Sequence, residues 1–509
     1  YRLPELLGFY YDQGRDALVI ADFIEKGKPM LIGPTTGVEG IFLGPAFYYL
    51  LAPFYFLGNG NPVFPAVGMA ILNILGGLGI YLLGKKFFNK TTGLLAAIIF
   101  SFSYQLVMTS RWLANPTPLI FLSVLFIAGL FQIVRKDYRH LLTVSLAVSL
   151  GLQCEAASAV FYFPTLAIFL VWQRHIFRKG NFFFFLLAVL IFIFSLLPQI
   201  IFNFRHENLL AKAFYNFLVT KQSFKTDFFA VFSARLEMYL GVFGGILFPE
   251  KKPLQIIGAI IAGLFLLRTL RDGSPESLYQ RSETPYRKPQ RAIHPHPDNA
   301  GLSGTGVKER QIFRSPYFKT LALVLIVPIV GLFFYQGNNG YVWGYYLTGV
   351  YAVFVLFLAG VLVGKKPGML RKIFLVGFLL VFFYNNRIFL NQYLVKTDVN
   401  KKNFIALESQ KQALNFIYKD AEKENFNVDV YVPPVIPYAY DYLFRWYGKI
   451  YGRSPQEKRV PLLYTLYEID PPHPERLKAW LARQEGIGKI IYEKPFGGIV
   501  VQRRERYPN

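Results

Sequence analysis

The chain has 509 residues, of which 53% are hydrophobic and 17% aromatic. Its mean hydropathy of +0.32 excludes a string of ordinary soluble domains and makes the bilayer the solvent for much of the chain. The formal charge of +24 does not point to nucleic acid, because the basic residues fall mainly in short breaks between apolar runs, where the positive-inside rule puts them; the single cysteine, Cys154, excludes an intramolecular disulfide or a thiolate metal cluster within one chain.

Residues 1–61 form a first segment that is polar at its start, YRLPELLGFYYDQGRDALVIADFIEKGKP. Neither a basic n-region nor an apolar h-region precedes it, so a further helix is expected upstream. Its second half, GPTTGVEGIFLGPAFYYLLAPFYFL, is rich in glycine, proline and aromatics. Ten spans are expected after it, at about 62–83, 92–109, 117–134, 141–153, 156–172, 182–203, 254–271, 318–335, 343–363 and 371–391. With the upstream helix the count is eleven. Several of these runs suffice, at 1.5 Å per residue, to cross a hydrocarbon core of roughly 30 Å.

The breaks sort by charge. GKKFFNK (84–90), RKDYRH (135–140), QRHIFRKGN (173–181) and GKKPGMLRK (364–372) are basic and alternate as cytoplasmic loops. Residues 1–61 then face outward. Counting 228–248 as a span would put the basic linker 272–316 outside, so 228–248 is expected as an interfacial or re-entrant element. The linker itself, rich in Pro, Gly, Ser and charge, reads as a disordered cytoplasmic loop, and its HPHP as linker composition rather than a metal site.

From about Lys396 the character changes. KQALNFIYKDAEKENF reads as an amphipathic helix, and NVDVYVPP and IGKIIYEKPFGGIVVQRR as short strands. Residues 396–509 are therefore expected as a small α/β or α+β soluble domain on the outer side, following an α-helical polytopic region over 62–391.

Chemistry is sought where polar groups concentrate. Asp12 and Asp16 are four residues apart, so on a helix they share a face with Arg15 beside them. The plain alternative is a charged surface helix. Arg111, in SRWLANPTP at an outer span end, is either a ligand for an anion or a cation that snorkels beside Trp112, and Asn115 and Pro116 set a turn. Glu155, in the Gln153-Cys154-Glu155 break, either lines a cavity or meets water at a hairpin tip. Tyr345 and Tyr346, in the break after Gln336, are open to two readings as well, sugar stacking or an aromatic belt. Arg205 and His206 fit either a phosphate contact or an interface marker.

An N-terminal acidic motif, the glycine- and proline-rich stretch after it, many spans and a C-terminal soluble domain together resemble the GT-C glycosyltransferases. The likeness covers most of residues 1–390, through short motifs. It is to bacterial members related to protein O-mannosyltransferases and to the aminoarabinose transferase acting on lipid A. The resemblance implies an inverting transferase that moves a sugar from a polyprenyl phosphate to a lipid, glycan or protein acceptor outside the plasma (inner) membrane. It puts Asp12 at the catalytic aspartate position, with Gln13 where a glutamate is usual. Arg15, Asp16, Arg111, Asn115, Glu155, Tyr345 and Tyr346 are then the candidates for holding donor phosphate or substrate. No cofactor is expected, and a metal shared by Asp12 and Glu155 is the less favoured alternative. The competing function is a transporter or flippase of lipid-linked sugar, which calls for polar groups at the midplane and repeated halves.

Overall fold

The computed structural model describes residues 1–219, 228–271, 315–335, 341–364, 368–433 and 436–508. The linker expected to be disordered, with its HPHP, lies outside the described residues except for its last two positions, as does 336–340 in the break before Tyr345.

The molecule is mostly helical. By length and composition, five described helices can cross a membrane: Val63–Phe87, Phe228–Leu247, Pro316–Phe334, Gly344–Val363 and Met369–Val395. Two bent pairs, Lys90–Phe102 with Tyr104–Arg111 (64°) and Asn181–Ser195 with Leu197–Arg205 (44°), raise the count to seven if each is one span. The expected runs 117–134, 141–153 and 156–172 correspond to shorter helices, Leu119–Val134, Leu141–Cys154 and Tyr162–Trp172. Pro118 delays the first, and the polar break at Glu155 separates the other two. The stretch 228–248, expected as interfacial or re-entrant, holds a continuous 20-residue helix that is long and apolar enough to cross a membrane.

Several polar groups inside this bundle are paired across helices. At the bend after Phe102, the Tyr104 N–H has no partner in its own helix, and the Asn386 side-chain oxygen accepts from it at 2.8 Å. The Asn386 amide donates to Leu247 O (2.8 Å) and Phe382 O (2.9 Å), so one buried side chain joins three helices. Val63–Phe87 meets Lys90–Phe102 where Gly84 faces Gly93; a Cβ on either would run into the other's backbone, so glycine is what permits this approach. The almost wholly buried Tyr351–Val363 helix packs against Lys90–Phe102, Leu119–Val134 and Pro316–Gly331.

The C-terminal region is a four-stranded mixed sheet of β1 (Phe426–Tyr431), β2 (Leu462–Glu468), β3 (Gly488–Phe496) and β4 (Ile499–Arg506), in the order β1-β2-β4-β3. β1 and β2 are parallel, joined through the Tyr438–Tyr451 helix; β4 runs antiparallel to both neighbours. Opposite faces carry different helices: Tyr418 of Leu407–Asp420 packs on Phe426, and Trp480 of Pro474–Glu485 packs on Tyr431 and Tyr467.

This region grips the N-terminal segment. Leu407 N–H donates to Leu7 O (2.8 Å), Gln410 Nε2 to Phe9 O (2.9 Å) and Trp446 Nε1 to Asn59 O (3.0 Å). Arg445 pairs with Asp22 at 2.8 Å and with Glu25, which also holds Lys449. The Tyr11–Lys26 helix lies on Tyr438–Tyr451 at Gly14, where any Cβ would collide with the Ala439 backbone. Overpacking of this kind costs about 1–3 kcal/mol. Gly14→Val is therefore expected to lower the unfolding temperature and to expose the connection near Lys402 to limited proteolysis; an unchanged melting curve would contradict the packing described.

Candidate functional site

The Tyr11–Lys26 helix begins with Tyr10 in an extended conformation, and Gln13 Oε1 accepts from the Tyr10 N–H at 3.1 Å. The other end of the same amide, Nε2, donates to Leu113 O at 3.1 Å. A glutamate at position 13 would accept the first bond and lose the second, which is a physical reason for glutamine here. The helix start is thus tied to the membrane bundle on one side and, at Gly14, to the C-terminal region on the other.

Three charged groups follow within that turn. Arg15 is largely buried, and its donors are taken by Asp12 Oδ1 (3.0 Å), Thr35 Oγ1 (2.9 Å) and Asp16 Oδ1 (2.9 and 3.0 Å). Asp16 is buried and also accepts from Tyr48 OH at 3.0 Å. Burial pushes its carboxyl up to about 6, against the pull of Arg15 and Tyr48. Asp12 keeps 65% of its side chain exposed. Of the two aspartates, Asp16 anchors Arg15 and Asp12 remains open to a reactant.

A second carboxylate stands at a helix break. Glu155 lies between Leu141–Cys154 and Ala156–Ala159, outside both, and is 8% exposed. Its Oε1 accepts from the Ala157 N–H at 3.2 Å, and its Oε2 from Asn115 Nδ2 at 3.1 Å. Asn115 Nδ2 also donates to Cys154 O at 2.8 Å, and Thr117 Oγ1 closes the preceding turn on Trp112 O at 2.8 Å. Burial pushes the Glu155 carboxyl up to about 7, against these hydrogen bonds.

The tyrosines lie beside it. Tyr345 and Tyr346 open the 3-10 turn Gly344–Val350, which is fastened to the Glu155 break by Ser158 Oγ accepting from Gly349 N–H (3.1 Å) and by Tyr162 OH donating to Gly349 O (2.9 Å). Trp112 packs edge-on to Tyr345, with ring centroids 6.1 Å apart. Tyr346 is buried, and its hydroxyl lies 3.5 Å from that of Tyr335.

The basic candidates separate. Arg111 sits at the end of Tyr104–Arg111, donates from Nη1 to Tyr1 O at 2.9 Å and keeps a buried Nη2 without a hydrogen-bond partner. His206 stacks on Phe202, and both Arg205 and His206 are exposed. A cation not singled out from the sequence, Arg235, is buried in the Phe228–Leu247 helix and donates from Nε to Leu332 O at 3.1 Å. Arg235 and Glu155 both act on the Tyr335 hydroxyl. An arginine in a 20-residue run whose other charged residue is Glu237 was the signal available for it.

An apolar cavity of about 830 Å³ opens on one flank. Leu72, Phe121, Leu150 and Ile201 are among its walls, and Gln153 and Cys154 bring it up to Glu155. Among the described residues, no three His, Cys, Asp or Glu side chains are grouped to hold a metal ion.

Residues 43–202 match the family model of dolichyl-phosphate-mannose-protein mannosyltransferases, a segment that contains Arg111, Asn115 and Glu155. The fold is similar to that of ArnT from Cupriavidus metallidurans bound to undecaprenyl phosphate, with a TM-score of 0.55 and 11% identity over 98% of this chain and 95% of that one. ArnT from the same organism in the apo state aligns with a TM-score of 0.45 and 10% identity over 98% and 94% of the two chains. The oligosaccharyltransferase of Archaeoglobus fulgidus aligns with a TM-score of 0.41 and 13% identity over 99% and 70%. No curated protein matches the sequence. Matched segment and fold agree: residues 43–202 carry the pattern of the mannosyltransferase family, and the chain as a whole has the fold of ArnT, a bundle with several helices long and apolar enough to cross a membrane.

Proposed function

We propose that this protein transfers a sugar, with inversion, from a polyprenyl-phosphate donor to a lipid, glycan or protein acceptor on the outer side of the plasma (inner) membrane. The observation that carries the reading is that Asp12 and Glu155, 143 positions apart in sequence, are tied to one short stretch: Gln13, next to Asp12, bonds Leu113 O, and Asn115 bonds Glu155. In one displacement the acceptor oxygen or nitrogen forms the new bond to the anomeric carbon. The bond from that carbon to the phosphate oxygen breaks, and polyprenyl phosphate leaves with the electron pair. Asp12 takes the acceptor's proton as general base, because it is the exposed carboxylate held in place by Arg15. Glu155, with Asn115 beside it, orients a hydroxyl of the reacting sugar or acceptor.

Charge developing on the departing phosphate needs a fixed cation in a site of low polarity. Arg235 fits that role beside Tyr335 and Tyr346, and Arg15 and the unpartnered Nη2 of Arg111 supply further positive charge. The apolar cavity that reaches Cys154 suits a lipid tail whose head lies at Glu155. No cofactor is required, since the phosphate is already an activated leaving group. The flippase reading draws no support from a match to mannosyltransferases.

Asp12→Asn should lower transfer from polyprenyl-phosphate sugars at least a hundredfold, within the roughly 10²–10⁴-fold range of general-base catalysis. Its melting temperature should hardly move, because an exposed ion pair contributes about 0–1 kcal/mol. Asp16→Asn, by contrast, loosens Arg15 and should lower stability and activity together. Arg235→Gln is expected to weaken binding of undecaprenyl phosphate about tenfold or more, in line with the about 1.5–3 kcal/mol of a hydrogen bond to a charged group; retention of wild-type affinity would remove Arg235 from the donor site.

The pH dependence has a defined sign. With a carboxyl at about 7, Glu155 becomes charged as pH rises, so transfer should increase between about pH 6 and 8. Its pKa is raised above the unfolded value of 4.5, so the folded state holds the extra proton between 4.5 and 7, and stability falls as pH rises through that window. Rate and melting temperature should therefore move in opposite directions. Glu155→Gln should flatten the rate profile and reduce the stability slope, leaving the part due to other buried carboxyls such as Asp16; a wild-type profile in the variant would show that Glu155 does not titrate in the reaction.

A further inference from the structure

A cleft lies where the C-terminal region meets the start of the Tyr11–Lys26 helix. It is open to solvent and encloses about 90 Å³, and Tyr10, Tyr11, Gln410, Ile436, Tyr440 and Glu468 are among its lining residues. Two features there go unexplained by packing. Glu468, at the end of β2, is 7% exposed, yet the groups that act on it are neutral: Tyr440, which donates to its Oε1 at 2.8 Å, and Gln410. Burial pushes that carboxyl up to about 7. Gln410 is fully buried, commits its Nε2 to Phe9 O, and has an Oε1 with no hydrogen-bond partner. A native interior seldom leaves such an acceptor empty without a ligand or water to fill it.

We infer that this cleft is an acceptor subsite that receives the hydroxyl-bearing ring of a sugar, so that the acceptor is a glycan or glycolipid rather than a bare peptide. Neighbouring hydroxyls of a pyranose present two donors at close spacing, and the Glu468 carboxylate with the Gln410 carbonyl offers two acceptors to meet them. The half-exposed Tyr10 offers a ring face to the apolar side of such a sugar. Position argues the same way, because Tyr11 directly precedes Asp12, so a ring bound here brings its neighbouring unit toward that carboxylate. The inference rests on the transferase reading given above.

The test uses the full chain in nanodiscs, with methyl glucoside, methyl mannoside and methyl glucosaminide as probes in saturation-transfer NMR, and undecaprenyl phosphate binding measured on the same samples. Wild type should bind at least one glycoside saturably. Glu468→Gln should weaken that binding at least tenfold, and so should Ile436→Trp, which fills the mouth from an exposed position and leaves the Glu468–Tyr440 bond intact. Undecaprenyl phosphate binding without any glycoside binding, or glycoside binding unchanged in both variants, would overturn the subsite. Glycoside binding without undecaprenyl phosphate binding would contradict the donor reading and leave the cleft as a sugar site. Tighter binding of a serine- and threonine-containing octapeptide, displacing the glycoside, would overturn the choice of a glycan over a peptide.

Discussion

Burying the Arg15 guanidinium requires that its donors find acceptors, and Asp16, Asp12 and Thr35 supply them within 3.0 Å. Much else follows from that requirement. Asp16 must face inward, where Tyr48 completes its shell, and Asp12 is then the carboxylate left at the surface of the turn. The helix that carries them is fixed at the same level by Gln13 on Leu113 and by the glycine contact with Ala439. Removing one partner of a buried pair costs about 3–5 kcal/mol, because the other charge stays buried. The cluster therefore defines the geometry of the exposed acid more than it adds to net stability.

The same rule governs the membrane bundle, where no water is at hand to satisfy polar atoms. Asn386 covers the broken helix at Tyr104, and Asn115 covers both Cys154 and Glu155 at the other break. Breaks in the helices are thus paired from neighbouring elements, and one of them carries a carboxylate beside the tyrosines. The C-terminal region adds the third wall. Its hold on Phe9, Asp22, Glu25 and Asn59 keeps the acidic helix in register with the bundle.

Hydropathy made the membrane class, most helical segments and the change of character near Lys396 legible, because a 20-residue apolar run has few other uses. It did not separate helices that are long enough to cross from the shorter ones around Glu155, since a mean over a window hides a proline start or a polar break. Phe228–Leu247 was legible as an apolar run, while its placement had been weighed by loop charge and not by Arg235. In the C-terminal region the β3–β4 hairpin was readable from its Gly497–Gly498 turn, whereas β2 was missed: LLYTLYE is apolar on both faces, and period alone gives it no direction. Asp12, Arg15, Asn115, Glu155 and the two tyrosines stood out as polar or aromatic groups in unusual places. The division of labour between Asp12 and Asp16 was not readable, because it depends on Tyr48 and Thr35, which nothing in the spacing ties to them.

The central claim is transfer of a sugar away from a polyprenyl phosphate. It is tested most directly by reconstituting the full protein with an isotopically labelled polyprenyl-phosphate sugar and a glycolipid extract, then following the label by mass spectrometry and NMR. The account predicts acceptor-dependent release of polyprenyl phosphate, with the labelled sugar on a new molecule in the opposite anomeric configuration. Labelled sugar that crosses the bilayer still joined to its lipid, with no polyprenyl phosphate released, would contradict it.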